Sequence, residues 1–320
     1  MKEISINEVC GIMIGQAENA QAGTGCTVFV CPDGMAAGLD VRGGGPASRE
    51  SQLLNPLAAA QVIHAVLLGG GSAFGLDAAG GVMKCLEERK IGYDVGITKV
   101  PLVCTSDLFD LTVGDMSVRP DASMGYEACM NALNGGNYRD GNYGAGTGAS
   151  VGKILGMDHC MKSGIGSYAV QCGELKVGAV AAVNALGDIF DEQGRMIAGV
   201  HDGKILLDTT EIMCRRTEVT ENKFTGNTTI AVIMTNADFD KARLCKIASM
   251  AQDGYARAIR PVHTSADGDS IYAVSNGDLK ADLDVTGVLA AEVVHKAIIR
   301  AVEAAESAYG LSCMNDIRKN

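Results

Sequence analysis

At 320 residues, with 47% hydrophobic and 20% charged side chains, the chain is one large domain or two ordinary ones with enough apolar surface for a core, which excludes a peptide module and a disordered chain. Lys and Arg number 27 against 38 Asp and Glu, a net charge of −11, and no basic run exceeds a pair such as Arg215-Arg216, which argues against nucleic acid as a partner. Eleven cysteines, an odd count without a C-x-x-C, and five isolated histidines (His64, His159, His201, His263, His295) point to buried thiols rather than a disulfide framework, and to no metal site and no cofactor.

The opening segment, Met1 to Glu8, alternates charged and apolar residues and lacks the basic-then-apolar layout of a signal peptide. The most apolar stretch, from Ala58 to Met83, is broken by His64, Gly69-Gly70-Gly71 and Asp77, so no membrane span is expected. A cytoplasmic, reduced protein follows.

Strands are expected at Cys26–Cys31, with its two cysteines on opposite faces of the pleat, and at Ala36–Val41. Helical patterns follow at Pro56–Leu68 and Ala73–Arg89, then a strand at Ile97–Val103 and a helix at Ala122–Leu133. Further strands are read at Gly166–Gln171, Leu175–Asn184, Thr228–Thr235 and Ser270–Ser275, and helices at Asp240–Ile259 and Val285–Tyr309. Between them, Leu186–Phe224 has sparse apolar residues among Asp188, Asp191, Asp202, Asp208 and Glu211 and reads as a surface excursion. Interleaved strands and helices without a repeat favour a layered α/β or α+β body.

Glycine is over-used, 41 residues or about 13% against an average of about 7%. The Gly144–Ala149 run fits G-x-G-x-x-A, which binds a dinucleotide only where a strand feeds it and a helix receives the phosphates; otherwise it is a structural turn. Asp267-Gly268-Asp269 is either a solvated turn or a carboxylate pair set beside a nucleophile. Thr228 opens the strongest strand pattern of the chain. It is a plain β-former unless its own α-amine is set free, since a terminal amine with a pKa of about 7.7–8.0 accepts the proton of its own hydroxyl.

An ordered series of phrases adds to this reading. Gly23-Thr-Gly-Cys-Thr-Val28, Gly38-Leu-Asp-Val-Arg-Gly-Gly-Gly-Pro-Ala-Ser-Arg-Glu50, His64-Ala-Val-Leu-Leu-Gly-Gly-Gly-Ser-Ala-Phe-Gly-Leu-Asp77, Gly144-Ala-Gly-Thr-Gly148, Asn227-Thr-Thr-Ile230, Gln252-Asp-Gly-Tyr-Ala-Arg-Ala-Ile-Arg-Pro261 and His263-Thr…Asp267-Gly-Asp269 resemble, in this order and over nearly the whole chain, the L-aminopeptidase/D-esterase family. That family also holds β-aminopeptidases and nylon-oligomer hydrolases. The resemblance implies a four-layer αββα sandwich of the N-terminal-nucleophile type, made as a single hydrolase domain 1–320. It also implies self-cleavage between Asn227 and Thr228 into an α chain, 1–227, and a β chain, 228–320, and assembly into a homo-oligomer of such α/β heterodimers. The implied activity is hydrolysis of small peptides or amides through an acyl-enzyme on Thr228.

By position, the resemblance makes Asp267 and Asp269 the acids that orient the nucleophile and Asn184, which closes the strand Val177–Val183, a donor to the oxyanion. Lys153 matches a lysine of the nylon-oligomer branch; taken alone it is a solvated surface residue. Phe109 falls near a position where other members carry an aromatic hydroxyl, and Phe109, Tyr143 and Gly146 are expected to line the substrate. Two other readings stay open: an ornithine-acetyltransferase-like enzyme, in which an amine resolves the acyl-enzyme, and a non-catalytic dinucleotide-binding or structural protein.

Overall fold

The computed structural model describes residues 1–216 and 226–317. Along the chain run β1 (Lys2–Ile4), β2 (Met13–Asn19), β3 (Thr24–Val41), β4 (Ala47–Arg49), β5 (Ile63–Gly69), α1 (Ala78–Glu87), β6 (Tyr93–Asp94), β7 (Lys99–Val100), β8 (Val103–Asp107) and α2 (Ala122–Leu133). The central part holds β9 (Ser150–Val151), β10 (Met161–Lys162), β11 (Ile165–Cys172), β12 (Leu175–Asn184), β13 (Asp188–Phe190), β14 (Met196–Ala198) and α3 (Thr209–Arg215). Then come β15 (Thr228–Ala237), α4 (Lys241–Ala258), β16 (Ile259–Arg260), β17 (Ser270–Leu279), α5 (Leu283–Glu303) and α6 (Met314–Ile317).

The strands make two sheets that share β3. Its second half pairs with β17 and continues the order β1-β11-β12-β15-β17, while its first half pairs with β2 and β5, next to β8 and β4. The pairing breaks between Val30 and Met35, where Pro32 has no N–H to give to a ladder and Gly34 sits at φ +85°. Sequence patterning reads two strands here; the chain makes one bent strand that crosses from sheet to sheet.

Period-2 alternation sorts the side chains into three apolar layers. In β15, Ile230, Val232 and Met234 point between the sheets, whereas Ala231 and Ile233 point to α4 and α5. In β3, Cys31 faces the inter-sheet core and Cys26 the α1–α2 side, opposite faces as the spacing requires. With α4 and α5 on one sheet and α1 and α2 on the other, the architecture is the αββα sandwich expected from the resemblance. Asp121, Asp240 and Asp282 cap α2, α4 and α5 by accepting the backbone N–H three residues on.

Three readings of the sequence are corrected. Pro56–Leu68 is not a helix: Ile63–Gly69 is a core strand, with Val66 and Leu68 on one face and Ala65 and Leu67 on the other. Burial on both faces turns a strand into a continuous apolar run, which periodicity does not distinguish from a buried helix. The strand read at Ile97–Val103 is divided between the exposed β6–β7 hairpin and the start of β8. Nor is the first part of Leu186–Phe224 a surface excursion, because Ile189, Ile197, Ala198 and Val200 are buried and β13 pairs with β14 and β16. Asp188 is buried there and accepts the Val200 N–H (2.9 Å), the Thr209 N–H (2.7 Å) and the Thr209 hydroxyl (2.8 Å). A sparse apolar pattern is therefore pinned by one carboxylate. Residues 217–224 of that segment lie outside the described residues.

Candidate functional site

Thr228 begins β15 and lies between two flanks. On one side it is opposite Asn184, the last residue of β12; on the other, Asn227 bridges in parallel to Asp267. The strand mouth is closed to solvent, with Thr228 only 4% exposed. The Thr228 hydroxyl donates to the carbonyl of Asn227 at 2.5 Å, and the Gly268 N–H donates to the same oxygen at 2.9 Å. A β-carbon on Gly268 would come within 2.6 Å of Thr228 Oγ1, so only glycine lets the turn approach this closely.

The Asp267-Gly268-Asp269 turn is held from both ends. Asp269 Oδ1 accepts the Thr229 N–H (2.7 Å), and its Oδ2 accepts the His263 N–H (3.1 Å) and Nδ1 (2.9 Å). Asp267 accepts the N–H groups of Leu186 (3.4 Å) and Thr264 (3.0 Å) and, in a short bond, the Thr264 hydroxyl. Burial and the neighbouring Asp269 carboxylate push Asp267 up to about 6. Among the described residues no hydrogen bond joins either carboxylate to Thr228 Oγ1; they grip the backbone on both sides of it. From the other half of the chain, Gly45 N–H donates to Asp267 O (2.9 Å) and Gly43 N–H to Asp269 O (3.3 Å). A β-carbon on Gly43 would be 2.3 Å from Asp269 N, which accounts for glycine in that loop.

On the opposite flank Lys153 is buried, not solvated. Its ammonium donates to the Asn184 side chain (2.6 Å), the Asn184 carbonyl (2.9 Å) and the Gly226 carbonyl (3.1 Å), and burial lowers its pKa to about 7. Asn184 Nδ2 donates to the Phe109 carbonyl (2.8 Å) and, at 3.3 Å, to the same Gly226 carbonyl. Phe109 thus reaches the site through its backbone. Among the described residues neither Tyr143 nor Gly146 hydrogen-bonds to Thr228: the Arg139 guanidinium stacks 3.8 Å over the Tyr143 ring, and Gly146 abuts the backbone of Ile165. Gly144–Gly146 is a short 3-10 turn that leads to β9 rather than to a helix, so the dinucleotide reading lacks its receiving helix.

Three polar residues of this region carry no motif in the sequence. Lys162 is fully buried and donates to the carbonyls of Gly146, Ala149 and Ser163. Asp110 accepts the Thr24 hydroxyl and the Gly71 N–H, both at 2.7 Å. Asp107, buried, is held well above the usual carboxylate range by burial and by Asp110. An isolated lysine or aspartate next to a strand has the same local sequence whether it faces solvent or the core, so only the tertiary structure separates them.

A hydroxyl at a strand mouth, a carbonyl polarised by a backbone N–H, and flanking carboxylate and ammonium–amide groups are the kinds of group that hydrolysis of a peptide or amide bond needs, and comparison with known proteins makes the chain a hydrolase of that bond. The chain belongs to peptidase family S58, whose model matches residues 5–314. It is 36% identical to an uncharacterised aminopeptidase of Mycobacterium leprae, covering 96% of this chain and 92% of the relative. It is also 30% identical to a 6-aminohexanoate-oligomer endohydrolase of an Agromyces species, over 91% and 84% of the two chains. In fold it is similar to the L-aminopeptidase D-Ala-esterase/amidase of Ochrobactrum anthropi, described as a variant of the Ntn-hydrolase fold, with a TM-score of 0.67, 16% identity and coverage of 94% and 86%.

Proposed function

We propose that the chain cuts itself between Asn227 and Thr228 and then hydrolyses small peptides or amides, with Thr228 as nucleophile and its freed amine as base. In the first step Thr228 Oγ attacks the Asn227 carbonyl carbon, the C–N bond breaks, and the nitrogen leaves as the Thr228 α-amine. Water then hydrolyses the resulting ester, which returns the hydroxyl and ends the α chain in the Asn227 carboxylate. In turnover the same hydroxyl, deprotonated by the new amine, attacks a substrate carbonyl, expels the amine product and leaves an acyl-enzyme for water to resolve.

The observation that carries this reading is the scissile carbonyl itself: the attacking hydroxyl and the Gly268 N–H both lie on Asn227 O, at 2.5 and 2.9 Å. A donor aimed at the oxygen where negative charge develops stabilises the tetrahedral intermediate. On this reading the Lys153–Asn184 pair supports the oxyanion in turnover, the carboxylates of Asp267 and Asp269 hold the nucleophile's backbone, and the enzyme works in the cytoplasm as a homo-oligomer of α/β heterodimers. The eleven cysteines, all free, fit a reducing compartment. Denaturing electrophoresis tests the proposal: wild type should separate into chains 1–227 and 228–320, while Thr228→Ala should remain one band and hydrolyse no amide. A Thr228→Ala variant that cuts or turns over normally would refute it.

A further inference from the structure

We propose that His263 is a positioning residue for the nucleophile, acting through Asp269; the inference rests on the reading of Thr228 given above. His263 is one of the non-glycine residues in the left-handed region, at φ +57°, a conformation that persists where the surroundings over-determine it and that clusters at functional sites. Its backbone N–H and its Nδ1 both lie on Asp269 Oδ2, at 3.1 and 2.9 Å. With two backbone N–H groups already donating to this carboxylate, it acts as acceptor, so Nδ1 carries the hydrogen. Nε2 is buried and without a hydrogen-bond partner among the described residues.

The other end of this chain of contacts is the residue after the nucleophile. Asp269 Oδ1 holds the Thr229 N–H at 2.7 Å, and the Tyr255 hydroxyl lies 3.1 Å from the Thr229 carbonyl and 3.2 Å from that of Ser270. Tyr255 also stacks on the His263 ring, with centroids 5.8 Å apart and planes at 27°. Both backbone groups of Thr229 are therefore fixed by side chains that meet at His263. Turning the Asp269 carboxylate would release the Thr229 N–H and let Thr228 shift against its target.

A misplacement of about 1 Å at a reacting group costs on the order of a hundredfold in rate. His263→Ala should lower kcat by roughly ten- to a hundredfold with little change in KM, because the ring acts on Asp269 and not on substrate. His263→Asn, whose side-chain N–H stands in for Nδ1–H, should restore most of that loss. Rates are compared per folded chain bearing a free Thr228 amine, counted by N-terminal analysis, with Tm measured alongside. Equal losses in both variants, no loss in His263→Ala, or a fall in Tm with kcat per cut chain unchanged would overturn the positioning role. Thr228→Ala in the same assay keeps the two claims apart: if it retains turnover, the nucleophile assignment fails; if it is dead while His263→Ala runs at the wild-type rate, only the present inference fails.

Discussion

The two flanks of Thr228 hold consecutive carbonyls by different chemistry. On the β12 side an ammonium and an amide, Lys153 and Asn184, donate to the Gly226 carbonyl. On the β17 side a backbone N–H at Gly268 donates to the Asn227 carbonyl. The backbone donor comes from a turn held by the hydrogen bonds of its own carboxylates and by the Gly43–Gly45 loop. The side-chain donors are occupied by the uncut chain itself. On the proposed mechanism, scission frees the segment ending at Asn227 to move, and the donors on Gly226 become available to a substrate oxygen. On that mechanism this difference would give the backbone flank to self-cleavage and the side-chain flank to turnover.

That division sets out how it breaks. Asn184→Ala removes a donor from the side-chain flank and should reduce kcat by about 10²–10³, measured with an amino-acid p-nitroanilide, while cutting at Asn227 continues; loss of cutting in parallel with turnover would merge the two flanks. Gly268→Ala perturbs the backbone flank, since its β-carbon meets Thr228 Oγ1 at 2.6 Å. It should slow the appearance of the cut chains by roughly tenfold or more, followed by electrophoresis over time, and a variant that cuts at the wild-type rate would remove Gly268 from the account.

The smallest expected effect is on stability. Burial lowers the pKa of Lys153 from 10.5 to about 7, so between these values the unfolded chain binds a proton that the folded chain does not. Stability from this group therefore rises with pH from about 7 to 10.5, and the cost of burying the charge is fully present below that window. Lys153→Met should flatten that part of the Tm-against-pH curve. The similarly buried Lys162, lowered to about 7, keeps its own share, so a curve unchanged by Lys153→Met would contradict the burial of the Lys153 charge.

Much of the fold was legible because local and tertiary demands agree. Leu175–Asn184 and Ala122–Leu133 have the bounds that patterning assigns, since a β-rich run with one turn at each end, and a capped helix after Asp121, admit one reading. Ile63–Gly69 was misread because a strand buried on both faces loses its alternation. Thr228 and the Asp267–Asp269 turn were marked by phrases in the sequence, Asn184 by its place at the end of a strand, and the fold brings them to one strand mouth. Lys153 was ambiguous because a solvated lysine and a buried one have the same neighbours in the chain. Gly146 lies in the glycine phrase and Tyr143 just before it, and they pack on Ile165 and Arg139.

The central claim is that Thr228 becomes a nucleophile through its own liberated amine. N-terminal sequencing and intact mass of protein that is hydrolysing an amide test it most directly. The account predicts a chain that starts Thr228-Thr229-Ile230 in stoichiometric amount; fully active protein with the Asn227–Thr228 bond unbroken would contradict it.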